Sequence, residues 1–205
     1  MVFYEPDRRD RRLLPHDPFK AFIAPRPIGW VATLGASGAV NLAPYSYFNA
    51  VCDRPPIVMF SSAGPKDSAT FAGECREFVW NMATYDLREA MNATSATLPR
   101  GENEFEAAGL AMAASRLVAP PRVAAAPVSL ECRVTQVVPL TDTDGAPAAN
   151  IVVFGQVVGV HLDEAAIVDG RVDITRLKPI ARCGYKGDYA VVTELFEMFR
   201  PDYDS

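Results

Sequence analysis

Apolar residues along this chain fall into short runs separated by proline, glycine and charged breaks. Most runs carry the alternating or continuous pattern of strands, not the 3.6-residue pattern of long helices. Ile28–Leu34 (I-G-W-V-A-T-L) is β-branched and aromatic between Pro27 and Gly35, and it predicts a strand. Gly35–Gly38 supplies a turn, and Val40 onward returns antiparallel. Asn41–Ala50 continues that strand, with Pro44 marking an edge, a bulge or a bend because it lacks a ladder donor. After the break at Pro55-Pro56, Ile57–Ser61 reads as a buried strand. Lys66–Cys75 reads as a helix capped by Asp67 or Ser68, with Phe71 inward and Gly73 ending or loosening it. Glu77–Met82 returns to strand, and Asp86–Ala96 and Glu102–Ala108 follow as helices. Pro120, Pro121 and Pro127 interrupt regular structure. Val128–Leu140 alternates, placing Leu130, Cys132 and Val134 on one face and Glu131, Arg133 and Thr135 on the other. Thr141–Pro147 is a hairpin loop leading into Ile151–His161, a long strand with bends at Gly155 and Gly159. Asp169-Gly170 makes a turn, Leu177–Arg182 is irregular around Pro179, and Tyr189–Phe199 is a last strand or short helix. The polar, proline-marked residues 1–24 form an N-terminal arm, and residues 25–205 a single domain.

With no β-α-β repetition, this inventory argues against a doubly wound sheet. It points to a mainly β chain, an antiparallel barrel with short helices inserted between strands. At 205 residues and 49% hydrophobic, one sizeable core is expected. The net charge of −5 removes any general attraction to nucleic acid or to an anionic membrane. Arg8, Arg9, Arg11 and Arg12 are interleaved with Asp7 and Asp10, which makes a solvated arm and not a binding patch. The chain has no 18-residue apolar run and no signal-like N-terminus, so a cytoplasmic location is expected. Cys52, Cys75, Cys132 and Cys183 are scattered, which fits reduced, mostly buried thiols. His16 reads as a turn histidine and His161 as a locally hydrogen-bonded one, so no metal site is expected.

The candidate chemistry lies in Asn41–Ser68. Ser61, Ser62, Lys66, Asp67 and Ser68 sit on a strand-to-helix junction, where a cation, hydroxyls and free amides favour a phosphate. Ala43–Ser46 and Asn49-Ala50 offer irregular backbone able to match the alternating donors and acceptors of a flat heteroaromatic edge. Tyr45, Tyr47 and Phe48 offer cover for its faces. Spacing alone suits a flat ligand with a phosphate at one end, and it equally suits a plain hairpin with a serine-capped helix behind it.

The runs P-R-P-I-G-W-V-A-T-L, N-L-A-P-Y-S-Y-F-N-A-V, P-P-I-V-M-F-S-S and K-D-S-A-T closely resemble the flavin reductase-like family with the FMN-binding split-barrel fold. The resemblance continues in order through E-F-V-W-N-M, D-L-R-E-A-M-N-A-T-S, E-F-E-A-A-G-L, L-E-C-R-V, V-V-F-G-Q-V-V-G and P-I-A-R-C-G-Y, covering nearly the whole chain. It implies a homodimer of six-stranded Greek-key barrels that binds FMN noncovalently near the subunit interface. The ring would lie beside Asn41, Ala43, Pro44, Tyr45, Ser46, Asn49 and Ala50, and the phosphate and ribityl chain near Ser61, Ser62, Lys66, Asp67 and Ser68. Arg26 and Thr33 are second contacts; Arg26 alternatively ties down the arm. The implied activity is hydride transfer from NADH or NADPH to flavin, with the cofactor and not a catalytic side chain carrying the chemistry. The reduced flavin would serve a monooxygenase partner. Some relatives carry a C-terminal G-D-H histidine linked to nicotinamide binding, whereas this chain has Gly184-Tyr185-Lys186-Gly187-Asp188. Tyr185 stands there as a nicotinamide-side candidate or a structural residue. The alternative function is an FMN-carrying electron-transfer or flavin-storage protein reduced by a protein partner. A pyridoxamine-oxidase-like or haem-handling barrel is a weaker third, with only His16 and His161 as axial candidates.

Overall fold

A computed structural model describes residues 1–98 and 102–201. The main sheet comprises β1 (Gly29–Leu34), β2 (Val40–Tyr45), β3 (Phe48–Asp53), β4 (Pro56–Ala63), β5 (Glu77–Asn81), β6 (Val128–Thr141) and β7 (Pro147–Leu162). All its neighbours pair antiparallel, in the order β2-β1-β5-β6-β7-β4-β3. The sheet thus has seven strands where six are implied, and hydrogen bonds do not close it into a ring. The added strand has a local cause. Ser46 and Tyr47 break the expected Asn41–Ala50 strand, so that β2 stays with β1 while β3 turns away to pair with β4. Inserted between strands are α1 (Asp67–Cys75), α2 (Arg88–Ala93) and α3 (Glu104–Ala107). A separate small sheet joins Arg26–Pro27, Ile180–Arg182 and Tyr189–Val191.

Alternation along the strands sorts the core into two apolar clusters, one on each face. Val31, Phe60, Phe78, Cys132 and Val153 pack together on the inner face, joined by Ala69 and Ala72 of α1. Trp30, Leu42 and Val79 pack on the outer face under Met91 of α2, Phe105 of α3 and Val123. Because β1 is covered on both sides, it reads as a continuous apolar run and not as an alternating one. Inner packing is tightest where β7 passes β5. A Cβ placed on Gly155 would lie 2.3 Å from the Phe78 ring, and the β6–β7 register shifts between Phe154 and Gly155. The second expected bend coincides with the shift between Val157 and Gly159.

Two buried polar groups hold the irregular segments to the sheet. Asn81 is fully buried; its Nδ2 donates to the Trp30 carbonyl at 3.2 Å, and its Oδ1 accepts from the Val123 amide and the Ser129 hydroxyl, each at 2.9 Å. Glu131, expected outward, is instead fully buried. Its carboxylate accepts the amides of Arg116 at 2.7 Å and Leu117 at 2.6 Å and meets His161 Nε2 at 2.5 Å. Burial opposes its ionisation, but the His161 and amide hydrogen bonds outweigh burial and hold the carboxyl below the usual range. His161 therefore has a hydrogen-bonded partner, as expected, but on the adjacent strand and not in its own loop.

Smaller departures from expectation have simple causes. α1 is N-capped by Lys66 with no side-chain cap bond, and it runs past Gly73 to Cys75, ending at left-handed Arg76 (φ 60). The proline-rich segment still pairs Met112–Ala113 with Arg122–Val123. Of the cysteines only Cys132 is buried, Cys52 being exposed and Cys75 and Cys183 intermediate. In the arm, the short helix Phe19–Phe22 is tied down by Arg26, whose guanidinium donates to the carbonyls of Lys20 and Ile23.

Two measurements test this core. Gly155→Ala forces Phe78 to move and is expected to destabilise the protein by about 1–3 kcal/mol in urea unfolding. Glu131 binds its proton less tightly folded than unfolded. Its contribution to stability is therefore full above the unfolded carboxylate range and is lost as pH falls through the folded value. Thermal unfolding across acid pH should show this slope, and Glu131→Gln should flatten it.

Candidate functional site

The expected stretch brings two strand edges and a helix start together. Among the described residues β2 is paired only by β1 and β3 only by β4, so each leaves one edge of backbone groups free of ladder bonds. The Ser46–Tyr47 turn joins these edges, and the Tyr47 carbonyl takes the Ser61 amide at 2.9 Å. β4 then leads through Gly64 and Pro65 into α1.

Beneath this opening lies a buried polar cluster. The Tyr45 ring packs 5.0 Å from that of Phe60, and its phenol lies beside the hydroxyls of Ser68 and Ser62. Burial raises the phenol's pKa further above its ordinary value, aided by the nearby Asp67 and Glu104 charges and opposed by the two serines, so Tyr45 stays protonated. Ser68 Oγ donates to Asn41 Oδ1 at 2.5 Å, and Asn41 Nδ2 donates to Glu104 Oε1 at 3.0 Å. Glu104 Oε2 accepts the Leu42 amide at 3.0 Å. Ser62 Oγ donates to the Gly64 carbonyl at 2.9 Å. Thr33 pairs with Asn41 across the β1–β2 ladder, and its buried Oγ1 has no hydrogen-bond partner in the structure.

The expected residues separate by exposure. Asn41, Tyr45, Ser62, Ser68 and Thr33 are buried, and all but Thr33 contribute polar contacts to the cluster. Ala43, Pro44, Ser46, Ser61 and Asp67 are half-buried, while Asn49, Ala50 and Lys66 are exposed. Asn49 Oδ1 accepts the adjacent Ala50 amide at 2.9 Å, and Ser61 Oγ accepts from Asn150 Nδ2 at 2.9 Å. Arg26 does not join the cluster. Its guanidinium serves the arm, and its Nε is buried without a hydrogen-bond partner. Tyr185 is exposed in the Gly184–Gly187 turn, edge-on to His16 at 6.0 Å. Lys20 Nζ lies 5.8 Å from the centre of the Tyr47 ring. Phe48 stacks parallel on Trp80 at 5.4 Å.

These residues fit a phosphate-bearing planar cofactor. The N-terminus of α1 has no side-chain cap, and the exposed Lys66 beside it makes no ion pair among the described residues. Apart from the Leu42 and Ala50 amides, which Glu104 and Asn49 hold, and Pro44, which has no N–H, the edges of β2 and β3 left unpaired among the described residues offer backbone groups to a ring. Two contributors escaped the sequence reading, Glu104 and Asn150. Their partners lie 63 and 89 residues away in the chain, so no local spacing pointed to them.

Comparisons with known proteins bear on the family and the fold. The family model described as the flavin reductase like domain matches residues 22–175. The structure resembles nitrilotriacetate monooxygenase component B from Bacillus cereus, at 34% identity and a TM-score of 0.87, over 97% of this chain and 98% of that one. It also resembles 2-nitrobenzoate 2-nitroreductase NbaA from Pseudomonas fluorescens, at 25% identity and a TM-score of 0.82, over 98% and 96% of the two chains. A putative flavin reductase with a split barrel domain from Shewanella frigidimarina shares the fold at 19% identity and a TM-score of 0.83, over 98% of this chain and 100% of that one.

Glu104→Ala would leave the Asn41 carboxamide and the Leu42 amide without their acceptor. The expected cost is about 1–3 kcal/mol in chemical unfolding of the protein without added ligand.

Proposed function

The chain belongs to the flavin reductase-like family, and from that premise we propose that it binds FMN in the opening bounded by β2, β3 and the start of α1. We infer an oxidoreductase that takes hydride from NADH or NADPH and delivers reduced flavin to a monooxygenase, working as a homodimer. The observation that carries this reading is the uncapped start of α1 beside exposed Lys66 and half-buried Ser61, next to two unpaired strand edges. When bound, FMN supplies the redox chemistry. Lys66, Ser61 and the first amides of α1 hold the phosphate, where the helix dipole and the ammonium favour negative charge. Backbone groups of Ala43–Ser46 and Asn49-Ala50 orient the ring, while Tyr45, Asn41, Ser62 and Ser68 keep those strands in place from beneath. The partner reading draws support from the likeness to a monooxygenase component at 34% identity.

A second reading, an FMN-bearing electron carrier, is favoured by the turn around Tyr185. That turn closes on itself, with Asp188 accepting the Tyr185 amide at 2.7 Å and its carbonyl taking the Cys183 amide at 3.0 Å. It contains no histidine of its own; the imidazole beside it comes from His16 of the arm.

The purified protein should show a flavin spectrum, and the apoprotein should regain it with FMN more readily than with FAD. A colourless protein indifferent to FMN sinks the proposal. Lys66→Ala should weaken FMN binding by about 1.5–3 kcal/mol in a fluorescence titration. Stopped-flow bleaching of the bound flavin by NADH or NADPH identifies the reductase. Bleaching only by a reduced ferredoxin-type protein identifies the carrier.

A further inference from the structure

At the other end of β7, a polar cleft of about 440 Å³ opens between His161–Asp163 and the segment carrying Arg116, Arg122 and Ala124–Pro127. We propose that this cleft binds a phosphate-bearing anion, independently of the flavin opening. From Val152, the partner of Ser61, β7 runs roughly 25–30 Å before reaching His161, so the two places are separate.

Two arginines and a histidine line the cleft, from two parts of the chain. Arg116 and Arg122 come from the segment that covers the outer face, and His161 comes from β7. Neither arginine makes an ion pair among the described residues, and the Arg122 Nε contact to the Ala114 carbonyl, at 3.4 Å, is long. The one acidic side chain lining the cleft, Asp163, already accepts the Ala165 amide through Oδ1 at 2.9 Å. In a chain of net charge −5, two guanidinium groups in one cleft, neither in an ion pair among the described residues, are a focus for an anion.

His161 is held for this role by Glu131. The buried carboxylate takes two amides from the covering segment and the Nε2 proton of the imidazole, so the other ring nitrogen is the one turned away from the carboxylate. With 18% of its side chain exposed, His161 lines the cleft with its orientation fixed from behind. The same Glu131 contacts fix the backbone of Arg116, so one buried charge positions two of the three basic groups. Guanidinium pairs and an oriented imidazole match the several acceptor oxygens of a phosphate better than the two of a carboxylate.

The test is isothermal titration of the full chain with inorganic pyrophosphate and, separately, with ADP, at fixed ionic strength, after loading with FMN and removal of unbound FMN by gel filtration. Saturable binding of either ligand is expected, weakened about tenfold by Arg122→Gln and by Arg116→Gln and unchanged by Lys66→Ala. Tighter binding of pyrophosphate would assign the site to inorganic anions, and tighter binding of ADP to a nucleotide phosphate. Both arginine variants change surface side chains outside the core, and their thermal unfolding checks that they fold. Absence of saturable heat with both ligands, or affinity indifferent to Arg122→Gln, overturns the proposal. Loss of binding in Lys66→Ala also overturns it, by moving the anion to the start of α1. A protein that takes no FMN would still give a readable titration, so failure of the flavin reading and failure of this one are told apart.

Discussion

A sheet that does not close on itself needs something other than ladder hydrogen bonds to hold its ends, and here that burden falls on Tyr45. β2 and β3 are consecutive in the chain yet stand at opposite ends of the strand order. Tyr45, the last residue of β2, lays its ring on Phe60 of β4 and sets its phenol between Ser62 of β4 and Ser68 of α1. One side chain therefore links the first edge, the last strand pair and the inserted helix. The alternative, exposing an aromatic face at the seam, would lose roughly 1.5–3 kcal/mol of burial as well as the polar contacts.

Under the opening, three polar side chains form a chain that ends on a backbone amide, while the Thr33 hydroxyl beside them has no hydrogen-bond partner in the structure. Ser68 spends its hydroxyl on Asn41, Asn41 on Glu104, and Glu104 on the Leu42 amide. Such a chain has high stakes in a low-dielectric setting, because removing any one member strands the next. It also fixes the distance from the start of α1 to the edge of β2 through Ser68 and Asn41. The rest of the sheet serves the same end. Gly155 lets Phe78 approach the β7 backbone closely, and the tight inner core prevents the strands from sliding relative to α1.

Local pattern made most of the framework legible. Ile28–Leu34, Val128–Leu140 and Ile151–His161 announce their strands by β-branched content and alternation, and the two glycine bends coincide with register shifts. What the pattern hid depends on partners distant in sequence. Glu131 occupies an outward position by alternation, and only His161, thirty residues on, together with the amides of Arg116 and Leu117, makes its burial tolerable. Likewise, nothing in N-L-A-P-Y-S-Y-F-N-A shows that the chain changes strand partner at Ser46-Tyr47, since both halves are equally strand-like. The extra strand follows from that one turn.

The side chains of the site divide between holding and reaching, and this bears on how the motif should be read. Asn41, Tyr45, Ser62 and Ser68 carry the most distinctive polar chemistry in the stretch, yet their side chains face inward and are engaged. The groups left facing outward are edge backbone, exposed Asn49 and Ala50, and Lys66. Recognition through backbone amides and carbonyls is indifferent to side-chain identity but demanding of strand position, typically to within a few tenths of an ångström for a good hydrogen bond. On the proposed FMN reading, the serines and the tyrosine would influence the ligand by keeping β2, β4 and α1 in register, whereas Lys66 would act on it directly by charge. Substituting a buried member of this set would then perturb stability and ring position together, while substituting exposed Lys66 would perturb affinity alone. In this fold the chemistry-bearing look of the motif belongs mostly to its scaffold.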